Sequence, residues 1–391
     1  MSIADIFPLF SSPKKTTLHK MTPKTPPHIL FVLDYYLPHL GGLEVVFANI
    51  IQRLIKKGYI IGIVTTKHFK TLPSVEEHPQ LTIWRIGKTR EQFMWMSLWH
   101  LLRIAGKFDC IHTTTYAAAI PASIAGRRHR KKVILTVHEL FGHLRKRLKK
   151  VHRPYRFFEW LIVQFPYTHI VAVSHYTQKQ LVNAGIPQKQ IALIYNGVDT
   201  TIRNPRAIKQ TSIDAFKLHH QLANKTLLLY YGHSGASKGL DYLIRALPLI
   251  KQYHPDLHFL ANIIPWNRDL KIQSMMHKNG SRDYTTLLHG VEQQQLLTII
   301  GSADVVIVPS ISEGFGMVAA EVSQLGKPLI VTDFWALPEV VCGKVITLHK
   351  ELRPEDFLDA YTRFHLGQRT NIPQKTFSRD KTVTSYCKLY K

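Results

Sequence analysis

Two glutamates stand in the segment Glu313-Gly314-Phe315-Gly316-Met317-Val318-Ala319-Ala320-Glu321, in a chain that holds only 12. A carboxylate accepts two hydrogen bonds side by side, which suits the vicinal hydroxyls of a ribose or a hexose. Gly314 and Gly316 allow a close approach of backbone to a ligand, and the helix start that follows offers unpaired N–H groups to anionic oxygens. If the segment were wholly helical the two carboxylates would lie about 12 Å apart, enough to grip both ends of one nucleotide sugar. A surface glutamate beside a capped helix is the plainer reading of Glu321 alone.

A second loop, Tyr230-Tyr231-Gly232-His233-Ser234-Gly235-Ala236-Ser237-Lys238-Gly239, joins a strand to a helix start and carries a lysine. On physical grounds it can cradle a diphosphate. It is neither a Walker A loop nor a GxGxxG turn. Pro38-His39-Leu40-Gly41-Gly42-Leu43-Glu44 is a third glycine turn, where Gly42 exposes its amide. His138, in Thr136-Val137-His138-Glu139, ends another strand and can bond a hydroxyl or move a proton. The next histidine, His143, falls at i+5, so no metalloprotease helix is present. The chain has no Asp-x-Asp, and a metal-held diphosphate has no evident ligand pair. Neutralising a diphosphate would then fall to Lys238, His233 and helix-end amides.

These loops need a scaffold. His28–Leu33, Tyr59–Val64, Cys110–His112, Lys132–Val137, His169–Val173 and Ile191–Ile194 read as buried strands, with a helical pattern over Leu43–Leu54 between the first two. After a polar break at Asn196-Gly197-Val198-Asp199 the alternation resumes. Strands fall at Thr226–Tyr231, Leu257–Ala261, Thr285–His289, Asp304–Pro309 and Pro328–Thr332, with helices at Leu240–Ile250, Leu296–Ile300 and Met317–Leu325. The pattern predicts an α/β chain of two doubly wound halves, whose ligands lie at the carboxyl ends of the strands. The boundaries are 1–27, a disordered leader without a signal-peptide core; 28–198; 199–365; and a C-terminal segment 366–391.

The net charge of +25 favours anionic partners: phosphates, acidic lipid or nucleic acid. Arg127–Lys132 and Arg145–Lys150 are basic clusters, and Phe157-Phe158-Glu159-Trp160-Leu161-Ile162 is an aromatic, apolar stretch nearby, a combination that suits an anionic membrane surface. Nucleic acid is disfavoured, since no RRM, KH or helix-turn-helix pattern accompanies the charge. Three scattered cysteines without CxxC point to a reducing cytoplasm, and no apolar run reaches the ~18 residues that span a bilayer.

Together these segments resemble glycosyltransferase family 4, retaining enzymes of the GT-B fold. The likeness runs from His28 to about Ile346 and then the tail, and includes Gly326-Lys327-Pro328 and Pro338-Glu339-Val340-Val341. It implies two Rossmann-like domains facing a cleft, with the C-terminal helix, within Phe377–Tyr390, returning to the first. It also implies hexose transfer from a UDP- or GDP-sugar to a lipid-linked or envelope-glycan acceptor, with no cofactor and no metal. Glu321 would bond the ribose and Glu313 a donor-sugar hydroxyl. Amides of Phe315, Gly316, Met317 and Val318 would meet the sugar and diphosphate. Lys238 would neutralise the leaving group, Gly42 would approach it from the other domain, His138 would lie near the reacting sugar, and Val291 would touch the base. His233 stands where the family usually has arginine, which weakens the expected phosphate clamp. The region after Pro338-Glu339 is shortened, with only Gly343 where two glycines are common. A nonhydrolysing nucleotide-sugar epimerase of the same fold and a noncatalytic basic nucleic-acid-binding or scaffold protein are the competing readings.

Overall fold

The structure, a computed structural model, describes residues 27–39, 41–140, 153–198, 208–264, 269–291, 293–349 and 351–391. Leu40, the basic cluster Arg145–Lys150, Asp199 and all of the leader except Pro27 lie outside the described residues. The chain divides into two compact units. The first holds residues 1–173, 177–195 and 379–391; the second holds 174–176 and 196–378.

In the first unit, eight strands form one sheet: β1 (His28–Leu33), β2 (Ile60–Thr65), β3 (Val75–His78), β4 (Leu81–Arg85), β5 (Cys110–Thr114), β6 (Lys132–Val137), β7 (His169–Ala172) and β8 (Ile191–Leu193). Their order is β3-β4-β2-β1-β5-β6-β7-β8, and only β3 runs antiparallel to its neighbour. Continuous apolar runs such as Ile29–Leu33 are buried because helices cover both faces of a parallel sheet. Alternate residues divide between those faces. Leu30 and Val32 join one apolar cluster with Phe93, Leu101 and Ala122, whereas Phe31 packs on Phe47 and His112 on the other side. The helix Arg379–Tyr390 belongs to this unit. Its Tyr390 and Tyr386 hydroxyls hydrogen-bond His112 Nδ1 at 2.7 Å and Thr136 Oγ1 at 3.1 Å. The hairpin β3–β4 escaped the sequence reading because Val75-Glu76-Glu77-His78 is short, polar and partly exposed.

The second unit carries β9 (Thr226–His233), β10 (Leu257–Ile264), β11 (Thr285–His289), β12 (Val305–Val308), β13 (Leu329–Thr332), β14 (Gly343–Leu348) and β15 (Thr370–Ile372), in the order β11-β10-β9-β12-β13-β14-β15. β15 is an antiparallel edge strand on β14, so residues 366–378 are part of this unit. The chain order reverses where β9 meets β12, pairing Leu228 with Val305 and Leu229 with Val306. The loops leaving the carboxyl ends of these two strands are the place such sheets reserve for ligands.

Candidate functional site

The loop after β9 makes a single 3₁₀ turn, Ala236–Lys238, before Gly239 opens the helix Leu240–Tyr253. The loop after β12 runs from Pro309 to Gly316, ahead of the helix Met317–Gln324. Backbone bonds lock the two together: the Ser237 carbonyl accepts from the N–H groups of Ile311 at 2.7 Å and Ser312 at 3.3 Å. Gly239 has φ +69°, and a Cβ there would lie 1.9 Å from the Pro309 carbonyl oxygen. We therefore expect Gly239→Ala to cost about 2–4 kcal/mol, from left-handed backbone plus backbone overlap. Urea denaturation measures this, and a variant within about 0.5 kcal/mol of wild type would show that the loops are not so tightly apposed.

At this junction the structure brings Lys238 and Glu313 together. Lys238 Nζ lies 2.6 Å from Glu313 Oε1, which also accepts from Ser310 Oγ at 2.9 Å. Ser310 is itself fixed, since its carbonyl accepts from Thr332 Oγ1 at 2.8 Å. Glu313 is buried, so a carboxylate here requires the partners it has. Glu321, one face of the helix further on, accepts from the Tyr231 hydroxyl at 2.9 Å. Burial and the adjacent carboxylate of Glu321 both raise the Tyr231 phenol, which keeps it a donor. The helix begins only at Met317, so the fully helical span of the two glutamates does not apply: residues 313–316 are irregular backbone. That irregularity has a cause. Gly316 takes φ +91°, and a Cβ there would meet Leu337 Cδ2 at 2.6 Å. Phe315 is buried edge-on against Phe377, which pins the turn, while Met317 and Val318 are partly exposed on the first turn of the helix. Val291 is partly exposed just beyond β11.

His233 is the last residue of β9. Its Nδ1 accepts from the Gly235 N–H at 3.0 Å, and burial, reinforced by nearby Lys238, pushes the imidazole down to about 3. The ring is neutral at physiological pH, with its proton on Nε2. In this state it offers one hydrogen-bond donor. Lys238 carries the charge of this loop.

Gly42 and His138 belong to the first unit. Gly42 opens the helix Gly42–Lys56, behind Gly41 and near the buried Glu44, whose carboxylate meets His39 Nδ1 at 3.1 Å. His138 packs edge-on against Phe47, and desolvation pushes its imidazole down to about 4. Its Nε2 is buried with no hydrogen bond among the described residues. Asp34, at the end of β1, takes the Ala118 N–H at 2.8 Å and faces Arg90 at 3.3 Å, yet burial raises its carboxyl to about 6.

Sequence reasoning assigned no role to Ser310, Tyr231 or Asp34. Tyr230 and Tyr231 are neighbours on one strand and point to opposite faces, so periodicity alone could have separated the one that reaches Glu321 from the one that bonds the His233 carbonyl. Among the described residues, His254, Asp256 and His365 group their ligand atoms within 4.8 Å. Asp256 immediately precedes β10, so this group lies at the strand-start edge, away from the Lys238–Glu313 pair.

Comparison with known proteins bears on both units. The family described as Glycosyltransferase Family 4 matches residues 40–202, and the one described as Glycosyl transferases group 1 matches residues 213–373. An uncharacterized glycosyltransferase of Methanocaldococcus jannaschii is 23% identical over 331 residues, covering 81% of this chain and 83% of that protein. The phosphatidylinositol N-acetylglucosaminyltransferase gpi3 subunit of Schizosaccharomyces pombe is 24% identical over 324 residues, covering 79% and 67% respectively. Among solved structures, Anabaena HepE in complex with UDP and glucose superposes with a TM-score of 0.74 at 16% identity, covering 92% of this chain and 98% of that one.

Proposed function

Because the chain belongs to glycosyltransferase family 4 and has the two Rossmann-like units of the GT-B fold, we propose that it moves a hexose from a UDP- or GDP-sugar to a lipid-linked or envelope-glycan acceptor, retaining configuration and using no metal. The observation that carries this reading is the convergence of Lys238, Ser310 and Glu313 where β9 meets β12, beside the glycine-lined start of the Met317–Gln324 helix.

In this reading the diphosphate lies over the amides of Gly316–Val318, where the helix dipole favours negative charge, and Lys238 stabilises the leaving group as the glycosidic bond breaks. Glu313 then bonds a sugar hydroxyl and Glu321 the ribose, held in orientation by Tyr231. His233 contributes a neutral donor. The Nε2 of His138, buried with no hydrogen bond among the described residues, is the ring nitrogen we assign to a sugar hydroxyl. Departure of the phosphate on the face from which the acceptor enters lets a phosphate oxygen take the acceptor proton, which gives retention without a separate base. HepE was solved with UDP and glucose, and the yeast relative is named for an acceptor on phosphatidylinositol; both support donor and acceptor class. We place the protein in the cytoplasm, peripheral at an anionic membrane; no helix among the described residues is long and apolar enough to cross one.

Calorimetry against a panel of UDP-, GDP- and ADP-sugars tests the donor. Glu321→Ala removes a charged acceptor and should weaken the preferred donor about 10–100-fold with unchanged circular dichroism. Silence toward every nucleotide sugar would end the donor assignment.

A further inference from the structure

One side of the first unit's sheet presents an outer surface that its core does not use. The helices Arg90–Ile104 and Ala119–Arg128 share one apolar cluster over β1, β5 and β6 through Phe93, Leu101, Ala122 and Val133. The helix Arg153–Gln164 packs through Ile162 and Val163 on Leu135 and Val137. Val133, Leu135 and Val137 alternate along β6 and so face one way, which puts all three helices on the same side of the sheet. Ser123 Oγ donates to the Pro166 carbonyl at 3.1 Å, and His129 Nε2 lies 2.8 Å from the Leu102 carbonyl, joining the middle helix to both neighbours.

Their outward stripes are aromatic and basic. Trp95, Trp99 and Arg103 fall at i, i+4 and i+8 on the first helix, and the tryptophans are 65% and 67% exposed. Phe157, 62% exposed, and Trp160 lie 5.8 Å apart on the third. Between them the middle helix exposes Ile124, Arg127 and Arg128, followed by exposed Arg130 and Lys132. The acidic groups nearby are Glu91, exposed one turn before Trp95 on the same stripe, Asp109, exposed before β5, and Glu159, buried and accepting from the Tyr116 hydroxyl at 3.2 Å. A water-soluble surface gains nothing from three exposed indoles. Indoles ringed by arginine are the composition that partitions into the headgroup layer of an anionic bilayer, where the ring is half wet and the guanidinium meets phosphate.

We propose that this three-helix face docks the protein on an anionic lipid bilayer, with Trp95 and Trp99 inserted and Arg127 and Arg128 on the headgroups. The assignment rests on the membrane part of the function proposed above and leaves the donor site untouched. Co-sedimentation of the full chain with phosphatidylcholine vesicles, with and without phosphatidylglycerol, tests it. Binding should require phosphatidylglycerol and weaken at high salt. Trp95→Ser with Trp99→Ser should reduce it by about tenfold or more, and Arg127→Glu with Arg128→Glu by about tenfold at low salt. All four positions are exposed, so thermal melts should match wild type. Glu321→Ala should sediment like wild type, so a failed donor assignment leaves this result standing. Wild-type protein that ignores phosphatidylglycerol overturns the proposal, as does undiminished binding by the Trp pair. So does a solution dimer, or binding to single-stranded RNA, that the same substitutions abolish while vesicles are ignored.

Discussion

Lys238→Ala should lower kcat by about 10²–10³-fold and also raise the KM for donor. The size follows from two facts about the loop after β9. His233, which would be its other cation, is held neutral by burial and by its bond from the Gly235 N–H. Lys238 also sits 2.6 Å from a buried glutamate. On the proposed reading, removing it strips the leaving diphosphate of its cation and leaves Glu313 Oε1 with Ser310 as its side-chain partner among the described residues. A double-mutant cycle separates the two effects. If Lys238 serves merely to balance Glu313, Lys238→Ala costs little further rate in a Glu313→Gln background. If it acts on the phosphate, Lys238→Ala costs about as much in that background as in the wild type, and that is the expected outcome. Steady-state kinetics of all four proteins, with circular dichroism to confirm folding, decides; a vanishing cost in the Glu313→Gln background would return Lys238 to a structural role.

The same loop shows where sequence reading stops. Its glycines and its lysine were legible, as were Glu313 in the loop after β12 and Glu321 on the helix beyond it, because glycine-rich turns between apolar strands and helices have few other uses. That the two loops meet was legible only as an analogy with doubly wound sheets. The pairing of β9 with β12 joins strands separated by the whole of β10 and β11, and no local pattern encodes it. Polar partners were harder still. Ser310 looks like any residue ending a strand, and nothing in its neighbours announces that Thr332 fixes its carbonyl so that its hydroxyl serves Glu313. Residue type leaves His233 charged in part near neutral pH, and only the fold shows how far burial pushes its imidazole down. On the first unit, the stripe of Trp95, Trp99 and Arg103 has helical spacing in the sequence, but helical spacing of aromatics normally marks a core. Only the packing of Phe93 and Leu101 inward shows which stripe is outside.

Burial of neutral histidines also sets the response to acid, and the expected effect is large: stability should fall steeply below about pH 6.5. His112 is fully buried between Tyr390 and Thr136, and desolvation, then nearby His138, pushes it down to about 3. His138 is pushed to about 4 and His233 to about 3. In the unfolded chain all three titrate near 6.5, so as pH falls from there toward 4 the unfolded state takes up protons that the native state refuses. Each ring then costs up to about 1.4 kcal/mol per pH unit. Asp34 works the other way. Its carboxyl is raised to about 6, so the native state holds a proton that the unfolded state has lost; this stabilises the fold at low pH and fades as pH rises from about 4 through 6. Those three histidines and that aspartate together contribute a slope of about 3 kcal/mol per pH unit near pH 5, to which His258, pushed down to about 4, adds in the same sense. Urea denaturation at a series of pH values measures that slope. His138→Phe tests its origin, because the ring already packs against Phe47 and its Nε2 has no hydrogen bond among the described residues to lose. The variant should match wild type near pH 7 and lose about 1.4 kcal/mol less per pH unit on acidification. An unchanged slope would mean that His138 is already charged in the native protein, and a charged ring there could not serve as the neutral partner of a sugar hydroxyl.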